Sequence, residues 1–247
     1  MEEKVFDRIE KKYLITKEDK RYLLKTIKKN MRKDNYHKTQ VVNLYFDNDN
    51  FDMIANSIDW VDFKAKVRAR SYEGYDRVFL EVKTKIHASA RNDKDEEIEE
   101  NVGYKRRVMI THGDFDELLQ HKATLESLAS RSVETTHDLQ IAKEIDYLIT
   151  RFDLKPKIFI TYQRESYKDD HGLRITFDEK LKYRNQNLSF TKGKRDKIYF
   201  KDDRNIIMEV KADGVAPLWL IQNLSERKIY PQRFSKIGKV YERIKNV

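Results

Sequence analysis

The 247-residue sequence predicts an α+β fold, an antiparallel β-sheet with one strongly charged face and helices against the other. Three observations lead there. Several segments alternate apolar and polar residues with strict period two, the signature of strands buried on one side only. Glycines stand singly where hairpins must turn, as in Tyr72-Glu-Gly-Tyr-Asp76 and Asp169-Asp-His-Gly172. Helix signals are few, separate and well capped.

In chain order, the first strand places Arg8, Glu10 and Lys12 on one face. Thr16 caps a helix over about 17–32, with Asp19 three residues on and Tyr22, Leu23, Ile27 and Met31 near helical spacing. Residues 41–46 are a strand. Residues 47–50 (DNDN) hint at a calcium loop, but Phe51, Asp52 and Ile58 stand at positions five, six and twelve, where ligand, Gly and Glu are wanted. A solvated turn is expected there instead. In 63–70, Phe63, Ala65, Val67 and Ala69 oppose Lys64, Lys66, Arg68 and Arg70. In 78–84, Val78, Leu80 and Val82 oppose Phe79, Glu81 and Lys83. Residues 92–101 read as an acidic, exposed loop leading to a strand over 104–110.

Asp114 with Glu117 is expected to open a helix carrying Phe115, Leu118, Leu119, Leu125 and Leu128, and a third helix covers about 137–152. Residues 158–166 are a strand with Tyr162 and Arg164 on one face. Residues 173–178 are another, with Arg174, Thr176 and Asp178 together. Residues 185–205 read as a polar, basic loop. In 206–211, Ile207, Glu209 and Lys211 oppose Ile206, Met208 and Val210. Pro217 starts a short helix to about Arg227, and Ser235 caps the last one. Nothing marks an internal boundary, so a single domain over 1–247 is expected.

Composition narrows the function. Fifty-one Lys+Arg face 42 Asp+Glu, a net charge of +9 that favours polyanionic partners. With 38% charged residues, the chain exceeds the roughly 25% of an average soluble protein. The absence of Cys removes thiolate nucleophiles, thiolate metal sites and disulfides. Seven scattered Gly build neither a Walker loop nor a dinucleotide fingerprint, so any phosphate must be held by side chains. The six His lack zinc-site spacing, and there is no GxSxG elbow. No apolar run approaches the ~20 residues of a membrane helix, and residues 1–13 have no apolar signal core. A cytoplasmic protein is expected, reaching a membrane only through a partner.

A polar strand face ordinarily means a wet surface, but such faces mix Thr, Ser, Glu, Lys and Gln. These are dominated by Lys and Arg with single Glu residues between them. The local pattern recurs as Leu80-Glu-Val-Lys83 and Met208-Glu-Val-Lys211. If the strands curl into a barrel, the charged faces converge on a lumen that is costly to leave empty. A polyphosphate and a divalent cation would fill it.

The residues then resemble a family. Arg8-Ile-Glu-Lys-Lys-Tyr13, Leu44-Tyr-Phe-Asp47, Lys66-Val-Arg-Ala-Arg70 with Tyr72 and Gly74, Phe79-Leu-Glu-Val-Lys83 and Tyr104-Lys-Arg-Arg107 come first. Thr161-Tyr-Gln-Arg164, Leu173-Arg-Ile-Thr-Phe-Asp178, Ile207-Met-Glu-Val-Lys211 and Arg233-Phe-Ser-Lys236 follow in order. This series resembles the VTC domain, the polyphosphate-polymerase branch of the triphosphate tunnel metalloenzymes related to CYTH domains. The resemblance implies an eight-stranded antiparallel barrel, the triphosphate tunnel, with helices packed outside. It implies transfer of the ATP γ-phosphoryl group to a growing polyphosphate chain, with Mn²⁺ or Mg²⁺ as cofactor. Lys12, Arg68, Arg70, Lys83, Arg164, Arg174 and Lys236 would carry the chemistry. Lys66, Tyr162, Lys211, Arg233 and Ser235 would bind substrate, and Glu209 would hold the metal, with Glu81 and Glu10 either further ligands or charge balance within the lumen. Arg8 stands where CYTH relatives carry the first carboxylate of ExExK, which weakens a thiamine-triphosphatase or cyclase reading.

The implied partners are ATP, polyphosphate or tripolyphosphate, phosphate and a separate membrane protein, with no specific nucleic acid. Two alternatives stay open. One is a tripolyphosphatase or nucleoside triphosphatase in the same tunnel, and the other is a non-enzymatic module that binds polyanions.

Overall fold

A computed structural model describes residues 8–57, 63–91, 97–131, 135–190, 196–200 and 206–246. The strands are β1 (Arg8–Ile15), β2 (Arg32–Asp47), β3 (Phe63–Tyr72), β4 (Val78–Arg91), β5 (Glu97–Ile110), β6 (Lys155–Lys168), β7 (Arg174–Arg184), the two-residue β8 (Lys197–Ile198) and β9 (Ile206–Asp213). The helices are α1 (Lys17–Asn30), α2 (Asp52–Asn56), α3 (His112–Leu119), α4 (Leu125–Ala129), α5 (Thr136–Arg151), α6 (Leu218–Glu226) and α7 (Lys236–Lys245). Eight long strands and short β8 thus make an α+β sheet protein. The hydrogen-bond order is β1-β9-β7-β6-β2-β3-β4-β5, with β8 on β7. Among the described residues this order is an open path, with no pairing between β1 and β5 that would close it. No described helix is long and apolar enough to cross a membrane.

The chain divides into two compact units. Of the described residues, the first holds those within 8–41, 161–183 and 196–235, and the second those within 42–160, 184–190 and 236–246. In the first unit, β1 pairs antiparallel with β9, and β9 with β7. The apolar sides of these strands (Tyr13, Ile15, Ile175, Phe177, Met208, Val210) pack with Leu23 and Ile27 of α1 and Leu220 and Leu224 of α6. Thr16 and Asp19 form the expected reciprocal cap of α1.

In the second unit, β3 pairs antiparallel with β4, and β4 with β5. Val67, Leu80 and Val108 face Phe115 of α3, Leu125 of α4 and Ile141 and Ile145 of α5. Burying one face of each sheet leaves the charged residues on the other.

Several local expectations change. Thr111, not Asp114, caps the second helix, because its hydroxyl accepts from the Asp114 N–H while the Asp114 carboxylate reaches back. That helix is two pieces, α3 and α4, and His121 between them has a left-handed φ of 56°. Strand β2 starts at Arg32 rather than 41. Its first half is mostly exposed, so no apolar alternation announces it; the Ser166 hydroxyl and the His37 ring bind it to β6 at Tyr36 O and Ser166 O. Residues 97–101 belong to β5, paired with 87–91, and are not loop; residues 92–96 lie outside the described residues. Within 185–205, Phe190 packs on Phe115 and Phe159, whereas 191–195 and 201–205 lie outside the description. Asp47 is buried, not solvated. Its carboxylate accepts from the N–H groups of Asn48, Met53 and Ile54 and so holds the start of α2.

Candidate active site

In an antiparallel pair, directly opposite residues share a sheet face, so the register assembles each charged face without ambiguity. On β3, β4 and β5 the rows are Lys64–Lys85, then Lys66–Lys83–Lys105, then Arg68–Glu81–Arg107, then Arg70–Phe79–Met109. Over these rows the face carries eight cations and one carboxylate. Like charges placed directly opposite destabilise a sheet, and here three lysines stand side by side.

Glu81 is the hub of this face and is buried. Arg68 donates to it from Nε and Nη2, both at 2.6 Å, Lys105 Nζ approaches at 2.7 Å, and Arg70 Nε lies at 3.8 Å. Burial pushes the Glu81 carboxyl up, but Arg68, Arg70 and Lys105 outweigh it and hold its pKa at about 2. The Lys105 amine is pushed down, by desolvation first and then by Arg68 and Arg70 against the pull of Glu81. Arg68 also donates to the Tyr45 hydroxyl at 3.1 Å, and Arg70 to Asn43 Oδ1 at 3.0 Å. The guanidinium ends are therefore aimed by fixed partners.

The charged face of the first unit mixes both signs. Its rows are Glu10–Lys211–Arg174 and Lys12–Glu209–Thr176. Lys12 Nζ meets Glu10 at 3.0 Å, while Lys211 Nζ meets Glu209 at 3.0 Å and Glu10 at 3.4 Å. Arg174 donates to Asp34 at 2.9 Å, and Asp34 also takes Lys168 at 3.0 Å. Arg164 makes a two-pronged contact with buried Asp178, at 2.6 and 2.8 Å, with its guanidinium 5.4 Å from the centre of the Tyr162 ring. Tyr162 itself is buried.

Of the residues singled out by sequence, Glu10, Lys12, Arg174, Glu209 and Lys211 thus share one face, with Tyr162 and Arg164 on β6 of the same unit. Lys66, Arg68, Arg70, Glu81 and Lys83 share the face of the other unit. Arg233 is exposed in the segment before α7, which begins at Lys236 directly after Ser235. The structure adds Lys105 and Arg107 to the cationic face, and Asn43, Tyr45, Asp34 and Asp178 as groups that aim arginines. Alternation within Tyr104-Lys-Arg-Arg107 could have flagged Lys105 and Arg107. Nothing local could have flagged Asp34, which is 140 residues from Arg174.

The profile of the VTC domain family matches residues 7–244. The chain belongs to the VTC domain family. The match spans all nine motif pieces quoted from the sequence and passes through both units. A sequence search of curated proteins finds no match. Among solved structures, this VTC domain is similar to HpAC1 from Hippeastrum, an adenylyl cyclase candidate described as having a dominant triphosphatase activity. The two are 14% identical, with 94% of this chain and 93% of that one covered and a TM-score of 0.51, a likeness of fold. It is also similar to the PH1819 protein from Pyrococcus horikoshii OT3, at 14% identity, 96% and 99% coverage and a TM-score of 0.44.

Proposed function

We propose that this VTC domain is a polyphosphate polymerase of the triphosphate-tunnel type. It would transfer the γ-phosphoryl group of ATP to the end of a polyphosphate chain. The observation that carries this reading is the face of β3, β4 and β5, with eight cations around one carboxylate. Such a face concentrates polyanions at the sheet.

In the proposed reaction a terminal phosphate oxygen of the chain attacks the γ-phosphorus in line. The bond from the γ-phosphorus to the β–γ bridging oxygen breaks, and its electron pair leaves on ADP. The attacking oxygen is already anionic, so no general base is needed. Phosphoryl transfer asks mainly for alignment and charge neutralisation. Arg68 and Arg70, held by Glu81, Tyr45 and Asn43, suit two-pronged contacts with phosphate oxygens. Lys66, Lys83 and Lys105 supply point charges, as do Lys12, Lys211 and Arg174 on the first unit's face. Arg164, Lys236, Arg233 and Ser235 are proposed substrate contacts, and Tyr162 a wall beside Arg164.

The described residues contain no cluster of three or more carboxylate or imidazole ligands. They do place two carboxylates, Glu209 and Glu10, on one face about the same lysine. That set suits Mg²⁺ or Mn²⁺, which take one or two carboxylates beside substrate phosphates. Glu209 and Glu10 are the proposed holders, and Glu81, ringed by three cations, is proposed to balance charge. A bound ion would add Lewis-acid neutralisation of phosphate oxygens.

HpAC1 supports a second reading, in which water is the acceptor and the domain is a triphosphatase. Incubation of the pure protein with ATP and Mn²⁺, with products resolved on a polyacrylamide gel, separates the two. A ladder of long chains is expected; orthophosphate alone would establish the hydrolase, and no turnover would leave a polyanion-binding module.

A further inference from the structure

The row Lys12–Glu209–Thr176 ends on a residue to which no role has been given. Thr176 is 3% exposed, and its hydroxyl oxygen is the one buried side-chain polar atom among the described residues without a hydrogen-bond partner. A buried hydroxyl left unpaired costs about 1–3 kcal/mol, and Val would fill the same space without that cost. The register gives its neighbours. Register places Thr176 directly opposite Glu209 on the charged face, and opposite residues bring their Cβ atoms to about 5 Å. Its neighbours on β7 are engaged, Arg174 with Asp34 and Asp178 with Arg164. Beyond Glu209 stands Lys12, held by Glu10. The hydroxyl is thus a lone neutral oxygen next to the carboxylate on which the proposed cation site centres.

We propose that Thr176 Oγ1 is a second protein oxygen ligand, beside Glu209, for the divalent cation. Hard cations take oxygen donors, and a Ser or Thr hydroxyl fills this role on the Mg²⁺ of P-loop enzymes. A Thr there adds a ligand without adding negative charge that would repel phosphate. The inference rests on the reading of Glu209 as the ion's main holder, so the test separates the two.

Mn²⁺ is titrated into metal-free protein, with binding followed by loss of the free-ion electron paramagnetic resonance signal. Tripolyphosphate affinity is measured separately without metal. Thr176→Val is expected to melt no lower than wild type, to bind Mn²⁺ about tenfold more weakly, and to keep its metal-free tripolyphosphate affinity. Thr176→Ser should bind Mn²⁺ close to wild type; if the Val variant does not fold, Thr176→Ala against Thr176→Ser makes the same comparison. Unchanged Mn²⁺ affinity in Thr176→Val, while Glu209→Gln weakens it, overturns the role of Thr176 alone. Loss of metal-free tripolyphosphate affinity in Thr176→Val overturns it too, by making the hydroxyl a phosphate contact. If Glu209→Gln leaves Mn²⁺ binding intact, the reading of Glu209 falls, and this inference with it.

Discussion

Glu81 shows how a single side chain sets the behaviour of a charged face. Its pKa falls from the ordinary 4.5 to about 2 because Arg68, Arg70 and Lys105 outweigh its burial. A group depressed on folding stabilises the native state above its unfolded pKa and loses that contribution as pH falls through its folded value. At neutral pH this gap corresponds to about 3 kcal/mol. Melting temperature should therefore drop as pH is lowered from about 4.5 toward 2, and Glu81→Gln should flatten that drop while costing stability at pH 7. A variant that melts like wild type at both pH values would mean that the carboxylate is not holding the arginines.

Between residue and sheet lie the turns that fix register. Gly172 closes the β6–β7 hairpin with φ +85°, and Asp169 Oδ1 accepts from the N–H groups of His171 at 2.9 Å and Leu173 at 2.8 Å. A Cβ on Gly172 would lie 2.1 Å from Asp213 Oδ2. Gly172→Ala is expected to cost about 1–3 kcal/mol in chemical denaturation, and an unchanged midpoint would show the turn free to rearrange. This hairpin was legible in the sequence because its glycine stood between two alternating runs. So were β3, β4, β7 and β9 and their charged sides, since each strand alternates apolar with charged or polar residues. The front half of β2 was not, because it is mostly exposed and is held to β6, far away in sequence; nor were residues 97–101 of β5, because an acidic run reads as loop and their pairing with 87–91 is set only by folding. The break at His121 was hidden as well: Phe115 and Leu125 both reach the core, and their spacing reads as one helix although the chain turns between them. At the site, the residue types and their faces were legible. What aims them was not, because Asp34 for Arg174 and Tyr45 and Asn43 for Arg68 and Arg70 are brought together only by folding.

Across the whole molecule, each unit has its own apolar core and its own charged face, and the excess of nine positive charges is far from evenly spread. Over the rows from Lys64 to Arg70 the face of β3, β4 and β5 carries eight cations and one carboxylate, so a polyanion is expected to bind it and stabilise the fold. A ligand that binds only the folded state adds about 2.7 kcal/mol at a hundredfold excess over its dissociation constant. For a chain of this size that is about 5–10 °C in melting temperature. Tripolyphosphate should exceed chloride at matched ionic strength, because screening alone does not distinguish the two. Lys83 decides the matter most directly, since it stands between Lys66 and Lys105. The measurement is the melting temperature of Lys83→Gln and of wild type, each with and without metal-free tripolyphosphate. A face built to hold polyphosphate predicts that the variant gains clearly less from tripolyphosphate than wild type does. A variant that gains as much as wild type would contradict it.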